Sequence, residues 1–438
     1  MGKADKRLVV VQVAALGREL VEANGFTEWQ GLTFEPLEPV FPALTCTAQA
    51  SFRTGGLPSE HGIVGNGFFF GDLMRPLFWE QSTRLITGPR IWNSFSSKGG
   101  RTTMLFWQQS LGESVDAILS PAPIHRHHGG IVQSCYSKPR DLYGKVRGAV
   151  GRDFNLMHYW GPMASVKSSD WIADATVAVL EDPAGAPDLC LTYLPGLDYD
   201  LQRYGPDSPK ARAALETVFD ELSRILSAAK DSGHEVLVFG DYAIGRCDKG
   251  AVLPNLALRE AGLFAVREIG GAAYPDFYLS DAFAIVDHEI AHVHVNDPHA
   301  KERAIELLGG MDGVEKVLAD DEQKELGIAH ERSGDLVAMA SDGHWFAYPW
   351  WEDKNEAPDY ARHVDIHNKP GYDPCELFFG WPPGTVSRNT TKIKGSHGRI
   401  GPGREVCWAA TRPIGGEPGS LPGLAGAARD WLEGRDGN

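Results

Sequence analysis

The side chains best suited to chemistry cluster at four places in the 438-residue sequence. The first is the stretch from Pro42 to Asn66, where Thr45 and Thr47 stand at the start of a short expected helix. Free N–H groups and the helix dipole at such a start favour an anion. A hydroxyl there, ionised by a base or a metal, is a nucleophile; a helix-capping threonine is the simpler role. Arg53 follows on the same helix, where it would balance an anion or lie on the surface. The second and third places are Asp198 and Asp241, each just beyond an apolar run. The fourth is His397, flanked by Gly395 and Gly398. Two carboxylates and an imidazole suit a divalent ion such as Zn²⁺ or Mn²⁺.

Further histidines extend the search. Asp365 and His367 are two residues apart, so on a strand they would share one face. The alternative is a loop network beneath Pro370-Gly371. His125, Arg126, His127 and His128 would meet a metal or an anion, or form a solvated loop. His288, His292 and His294 look like a metal cluster, and His292 and His294 would share a strand face.

The elements that must hold these groups are legible as patterns. Residues 8–16, 188–194 and 234–240 are β-branched or apolar runs of the kind that form buried parallel strands. Helical patterns cover residues 18–23, 170–180 and 211–230. Strands alternating with helices predict an α/β fold with a mainly parallel central sheet. Ligands of such sheets gather at the carboxyl ends of the strands, where Asp198 and Asp241 fall. Residues 283–295 have strand character, and a helix (300–308) and a strand (335–340) follow. This block predicts a small α+β cap, residues 249–344, inserted between core segments 1–248 and 345–438. The tryptophan-rich run 345–351 would pack the core or stack a flat substrate, and a last helix covers 424–432.

Composition sets outer limits. Lys and Arg number 42 against 58 Asp and Glu, a formal charge of −16 that argues against nucleic acid and anionic membranes as partners. The six cysteines form no CxxC pair, which fits reduced thiols in the cytoplasm. The apolar run at residues 8–16 is short for a signal peptide, and no stretch reaches membrane-spanning length.

The order and wording of these pieces resemble the alkaline phosphatase superfamily, nearest its nucleotide pyrophosphatase/phosphodiesterase (type I phosphodiesterase) and phosphonoacetate hydrolase branch. The resemblance covers residues 8–402 and is most specific from Thr45 through Thr54-Gly55 to Gly65-Asn66. It implies an alkaline phosphatase-like core, a Thr45 nucleophile and an Asn66 that binds a phosphoryl oxygen. It also implies metal ligands at Asp198, Asp241 and His397. Three positions depart from the pattern: Ala14 (or Ala15) stands for an Asp, Gln202 for a His and Tyr242 for a His. One metal on Asp198, Gln202 and His397, replacement ligands at Asp365 and His367, and no metal at all remain open. The expected activity is that of a phosphoric ester hydrolase on a small phosphorylated metabolite. The alternative is a metal-poor relative acting as a phosphoryl transferase, a non-hydrolytic enzyme or a metabolite-binding protein.

Overall fold

The computed structural model describes residues 6–125, 131–366, 368–414 and 416–435. The central sheet is built from strands β1 (Leu8–Val13), β2 (Glu35–Leu37), β3 (Thr102–Leu105), β4 (Ala117–Ser120), β5 (Tyr136–Lys138), β6 (Leu189–Leu194) and β7 (Glu235–Gly240), closed by one further strand, Val406–Ala410. Their order is β5-β4-β3-β6-β1-β7, then Val406–Ala410, then β2. From β4 to β7 the neighbours run parallel; both edges are antiparallel. The expected mainly parallel sheet is therefore the observed one.

Six consecutive buried residues in β1 explain its central place, since both faces of the sheet are covered. Each fully buried Val or Leu contributes roughly 1.5–3 kcal/mol. The polar member, Gln12, is completely buried. Helices α1 (Arg18–Ala23), α2 (Thr45–Thr54), α3 (Lys167–Leu180), α4 (Gly196–Tyr204) and α5 (Pro209–Ser232) connect and cover these strands.

A second sheet is antiparallel and lies within residues 282–340. Its strands are β8 (Ala282–Asp287), β9 (Ile290–Val295), β10 (Val314–Leu318) and β11 (Leu336–Ala340), in the order β8-β9-β11-β10. The sequence pattern of residues 283–295 reads as one strand, but the chain turns back at His288-Glu289. His288 adopts φ 62°, the left-handed region that two-residue hairpin turns need and that non-glycine residues rarely occupy. The turn is held from outside: Glu289 N–H donates to the His397 carbonyl at 2.9 Å, and Phe346 N–H donates to the His288 carbonyl at 2.7 Å. The tip of the second sheet is thereby fastened at the carboxyl end of the first.

Candidate functional site

Thr45 is the first residue of α2. The residue before it, Leu44, is extended, and the Thr47 hydroxyl reaches back to accept from the Leu44 N–H at 3.2 Å while donating to the Pro42 carbonyl at 2.6 Å. Thr47 therefore does the capping and leaves the Thr45 hydroxyl for the cavity. Thr45 Oγ1 lies 3.4 Å from the Tyr193 hydroxyl and also interacts with Tyr242. Asn66 is fixed from two sides. Its carbonyl oxygen accepts from the Cys46 N–H at 3.1 Å, and its amide donates to Asp287 at 3.2 Å. Asp287 in turn accepts from the Asn66 backbone N–H at 2.7 Å and contacts His288 Nδ1 at 2.8 Å.

The two acids differ in setting. Asp198 sits in the first turn of α4, just after β6, rather than at the strand end itself. Its Oδ2 accepts from Gln202 Nε2 at 2.6 Å and its Oδ1 from the Tyr242 hydroxyl at 3.0 Å. Burial pushes its carboxyl up to about 6, opposed by those two hydrogen bonds. Asp241 directly follows β7 and is completely buried. Its Oδ1 accepts from the Ala15 and Tyr242 backbone N–H groups, both at 3.0 Å, and its Oδ2 from Gln12 Nε2 at 2.9 Å. Ala15 turns its N–H this way by adopting φ 59°. Burial pushes the Asp241 carboxyl up to about 8.

Four rings stack through the site. Tyr242 and His397 are parallel at 3.5 Å between centroids; His397 and His288 follow at 3.8 Å, then His288 and Tyr372 at 4.1 Å. Burial lowers His288 to about 3 and holds His397 well below the usual imidazole range, so both rings are neutral.

This donor set does not fit a divalent metal centre. A catalytic zinc wants three protein ligands and a structural one four. Asp241 has both oxygens engaged by protein donors, Ala14 and Ala15 bring only methyl groups, and the Tyr242 hydroxyl bonds Asp198. Gln202 turns its amide nitrogen, not its oxygen, to Asp198. His397 and Asp198 alone present lone pairs toward each other. Among the described residues no group of three or more His, Cys, Asp or Glu could hold a metal.

The structure thus brings Thr45, Asn66, Asp198, Gln202, Asp365 and His397 to the wall of one cavity of about 820 Å³, measured to its open mouth. Asp241 lies behind that wall. Arg53 is not there: its buried guanidinium donates to the Gln108 and Gln109 carbonyls at 2.6 and 3.1 Å and stands 3.8 Å from Glu113. An arginine on a helix buried along nearly its whole length must find partners in the core. Asp365 is in a loop, not a strand, and accepts from the Asn368 N–H and side-chain amide. His367 and residues 126–130 lie outside the described residues. His292 is bonded to Val64 O and Gly334 N, and His294 packs on Phe69 and Phe283, so these two are core groups. Trp345, Tyr348 and Trp351 line an adjoining cavity that shares Tyr372 and Asp373.

Sequence reasoning missed Gln12, Tyr193 and the Asp198-bonding role of Tyr242, and it named His288 only as a member of a cluster with His292 and His294, from which the structure separates it. Tyr193 could have been found as the penultimate residue of a strand that points at the site. His288 reaches the cavity through a hairpin turn that no local pattern marks.

Comparison with known proteins bears on the family and the fold. The family model described as "Type I phosphodiesterase / nucleotide pyrophosphatase" matches residues 14–373. Phosphonoacetate hydrolase from Sinorhizobium meliloti 1021, solved with phosphonoacetate, superposes with a TM-score of 0.65 at 15% identity, over 98% of this chain and 96% of that one. Murine ectonucleotide pyrophosphatase/phosphodiesterase 5 superposes with a TM-score of 0.58 at 13% identity, over 98% and 95% of the two chains. At these identities the likeness establishes a common fold.

Proposed function

The chain belongs to the type I phosphodiesterase/nucleotide pyrophosphatase family, phosphoric ester hydrolases of the alkaline phosphatase superfamily, and from that premise we propose that Thr45 is the nucleophile toward a small phosphorylated substrate. Thr45 Oγ1 attacks phosphorus as the P–O bond to the ester alcohol breaks, that alcohol leaves with a proton from solvent, and water then cleaves the Thr45 phosphoester to release the phosphoryl product. The Thr45 proton has a path through the Tyr242 hydroxyl to Asp198, which sits 3.0 Å from that hydroxyl. The second amide hydrogen of Asn66 and the free N–H groups of the first turn of α2 receive the phosphoryl oxygens. The observation that carries this reading is the Thr45 hydroxyl, freed from capping by Thr47 and linked through Tyr242 to a buried carboxylate.

Family members typically use divalent zinc. The ligands here do not complete such a centre, so no step is assigned to a metal. Residues 249–344, which contain the second sheet, act in this reading as an inserted cap that delivers His288. The six cysteines, all buried and unpaired, support a reducing compartment, the cytoplasm. Among the described residues no helix is long and apolar enough to cross a membrane.

The test is turnover of aryl phosphate mono- and diesters and a phosphonate ester. Wild type should turn over at least one class, and Thr45→Ala should not. Full turnover in Thr45→Ala would overturn the assignment. A second reading, a relative that binds a metabolite without hydrolysing it, is favoured by the closed hydrogen-bond shell of Asp241. Binding of a phosphorylated metabolite without turnover would select it.

A further inference from the structure

Among the described residues, no lysine or arginine lines the cavity. The cations nearest it are spent on internal partners. Lys369 is buried between Asp373 and Glu376 at 2.7 and 2.5 Å, and Arg203 donates to the Ala164, Leu377 and Pro162 carbonyls. An anion entering here would lose its hydration and meet no side-chain cation among the described residues.

What the wall does offer is the reverse. Trp79 and Tyr372 meet edge-to-face at 6.3 Å with 74° between planes, and Tyr159 and Trp160 at 5.0 Å with 90°. All four rings line the one cavity, and an aromatic-walled space of this kind receives organic cations. A polar pair adds direction. His397 Nδ1 lies 2.9 Å from the Ala43 carbonyl, which only accepts, so Nδ1 carries the proton and Nε2 presents a lone pair. That Nε2 stands 3.9 Å from Asp198 Oδ1, beyond hydrogen-bond distance. Two acceptors facing each other call for a donor between or above them.

We infer that this cavity binds a protonated amine, held by the Trp79–Tyr372 and Tyr159–Trp160 corners and by the facing acceptors His397 Nε2 and Asp198 Oδ1. The inference rests on the proposed function for its setting: the substrate is then an ester whose alcohol part carries the ammonium group, so the ligand brings its own positive charge.

Binding of propylammonium chloride tests this, followed by tryptophan fluorescence and thermal shift against potassium chloride at equal ionic strength. Neutral 1-butanol and inorganic phosphate serve as comparison ligands. Propylammonium should saturate and bind at least about tenfold more tightly than 1-butanol. Trp79→Leu and Trp160→Leu, each checked for folding by circular dichroism, should weaken it about tenfold. Equal affinity for 1-butanol, binding of phosphate but not propylammonium, or micromolar Zn²⁺ that excludes the amine would each overturn the inference. The Thr45→Ala protein separates the two claims. Amine binding in that variant, with no esterase activity in wild type, would sink the nucleophile and leave the amine site standing. Thr45-dependent turnover without amine binding would do the opposite.

Discussion

Asp198 and Asp241 follow neighbouring parts of one sheet, yet their carboxylates do different work. Asp241 receives three protein N–H groups and is sealed behind the cavity wall. Asp198 receives two, faces the cavity, and leaves an edge toward His397. The difference lies in the neighbours. Gln12 and the left-handed Ala15 supply donors to Asp241, whereas Tyr242 spans from the Asp241 side and spends its hydroxyl on Asp198. One acid holds strand ends together; the other is kept available for a ligand or a proton.

The strongest test of this contrast is Thr45→Ala, which should lower kcat/KM by roughly 10³-fold or more with an unchanged melting temperature. Asp198→Asn should cost on the order of 10²-fold in turnover. Asp241→Asn should stay within about threefold, because the Gln12 amide can flip to present its otherwise unpartnered Oε1 to the new NH₂ group. Equal losses in the two variants would erase the distinction. Arg53→Met separates core from site in the same way. It should destabilise by about 2 kcal/mol in urea melts, because the buried Gln108 and Gln109 carbonyls lose their donor, with KM unmoved.

A buried acid far from the cavity gives a pH signature. Neither carboxylate oxygen of Glu221, on α5, has a hydrogen-bond partner among the described residues, and burial pushes the group up to about 9. A carboxyl raised in the folded state favours folding least when ionised, so stability falls as pH climbs from the unfolded value near 4.5 through about 9. Glu221→Gln should therefore melt higher than wild type at pH 8.5, and the gap should close toward pH 4. The smallest expected effect is that of chelation. Dialysis against EDTA should leave Thr45-dependent turnover within about twofold, since the ligand set falls short of a zinc centre. A tenfold loss restored by Zn²⁺ would show that Asp198 and His397 recruit a third ligand.

Much of the frame was legible along the chain. Residues 8–16, 188–194 and 234–240 hold β1, β6 and β7 because continuous β-branched and apolar runs have few alternatives in a doubly covered sheet. The strand-end rule pointed at Asp198 and Asp241 for a physical reason: parallel strands deliver their loops to one edge; of the two, only Asp198 reaches the cavity. The hairpin at His288 was not legible, because a turn at a non-glycine residue with positive φ is stabilised by Phe346 and His397 from distant parts of the chain. Arg53 misled for a related reason. Its position on α2 was clear, but the Gln108 and Gln109 carbonyls that claim it are more than 50 residues away in sequence.

The sequence by itself determined the three central strands and their helices and, through its resemblance to a family, the Thr45-to-Asn66 segment and the three positions that depart from that family's pattern. Those are properties of local pattern and residue type. Only the tertiary structure decided what the replacements do: Tyr242 hydrogen-bonds one acid, Gln12 and Ala15 close the other, and His288 and Tyr372 complete a ring stack on His397. Hydrogen bonds and ring contacts fall off within a few ångströms. Which acid stays open therefore depends on residues that meet only when the two sheets are fastened together.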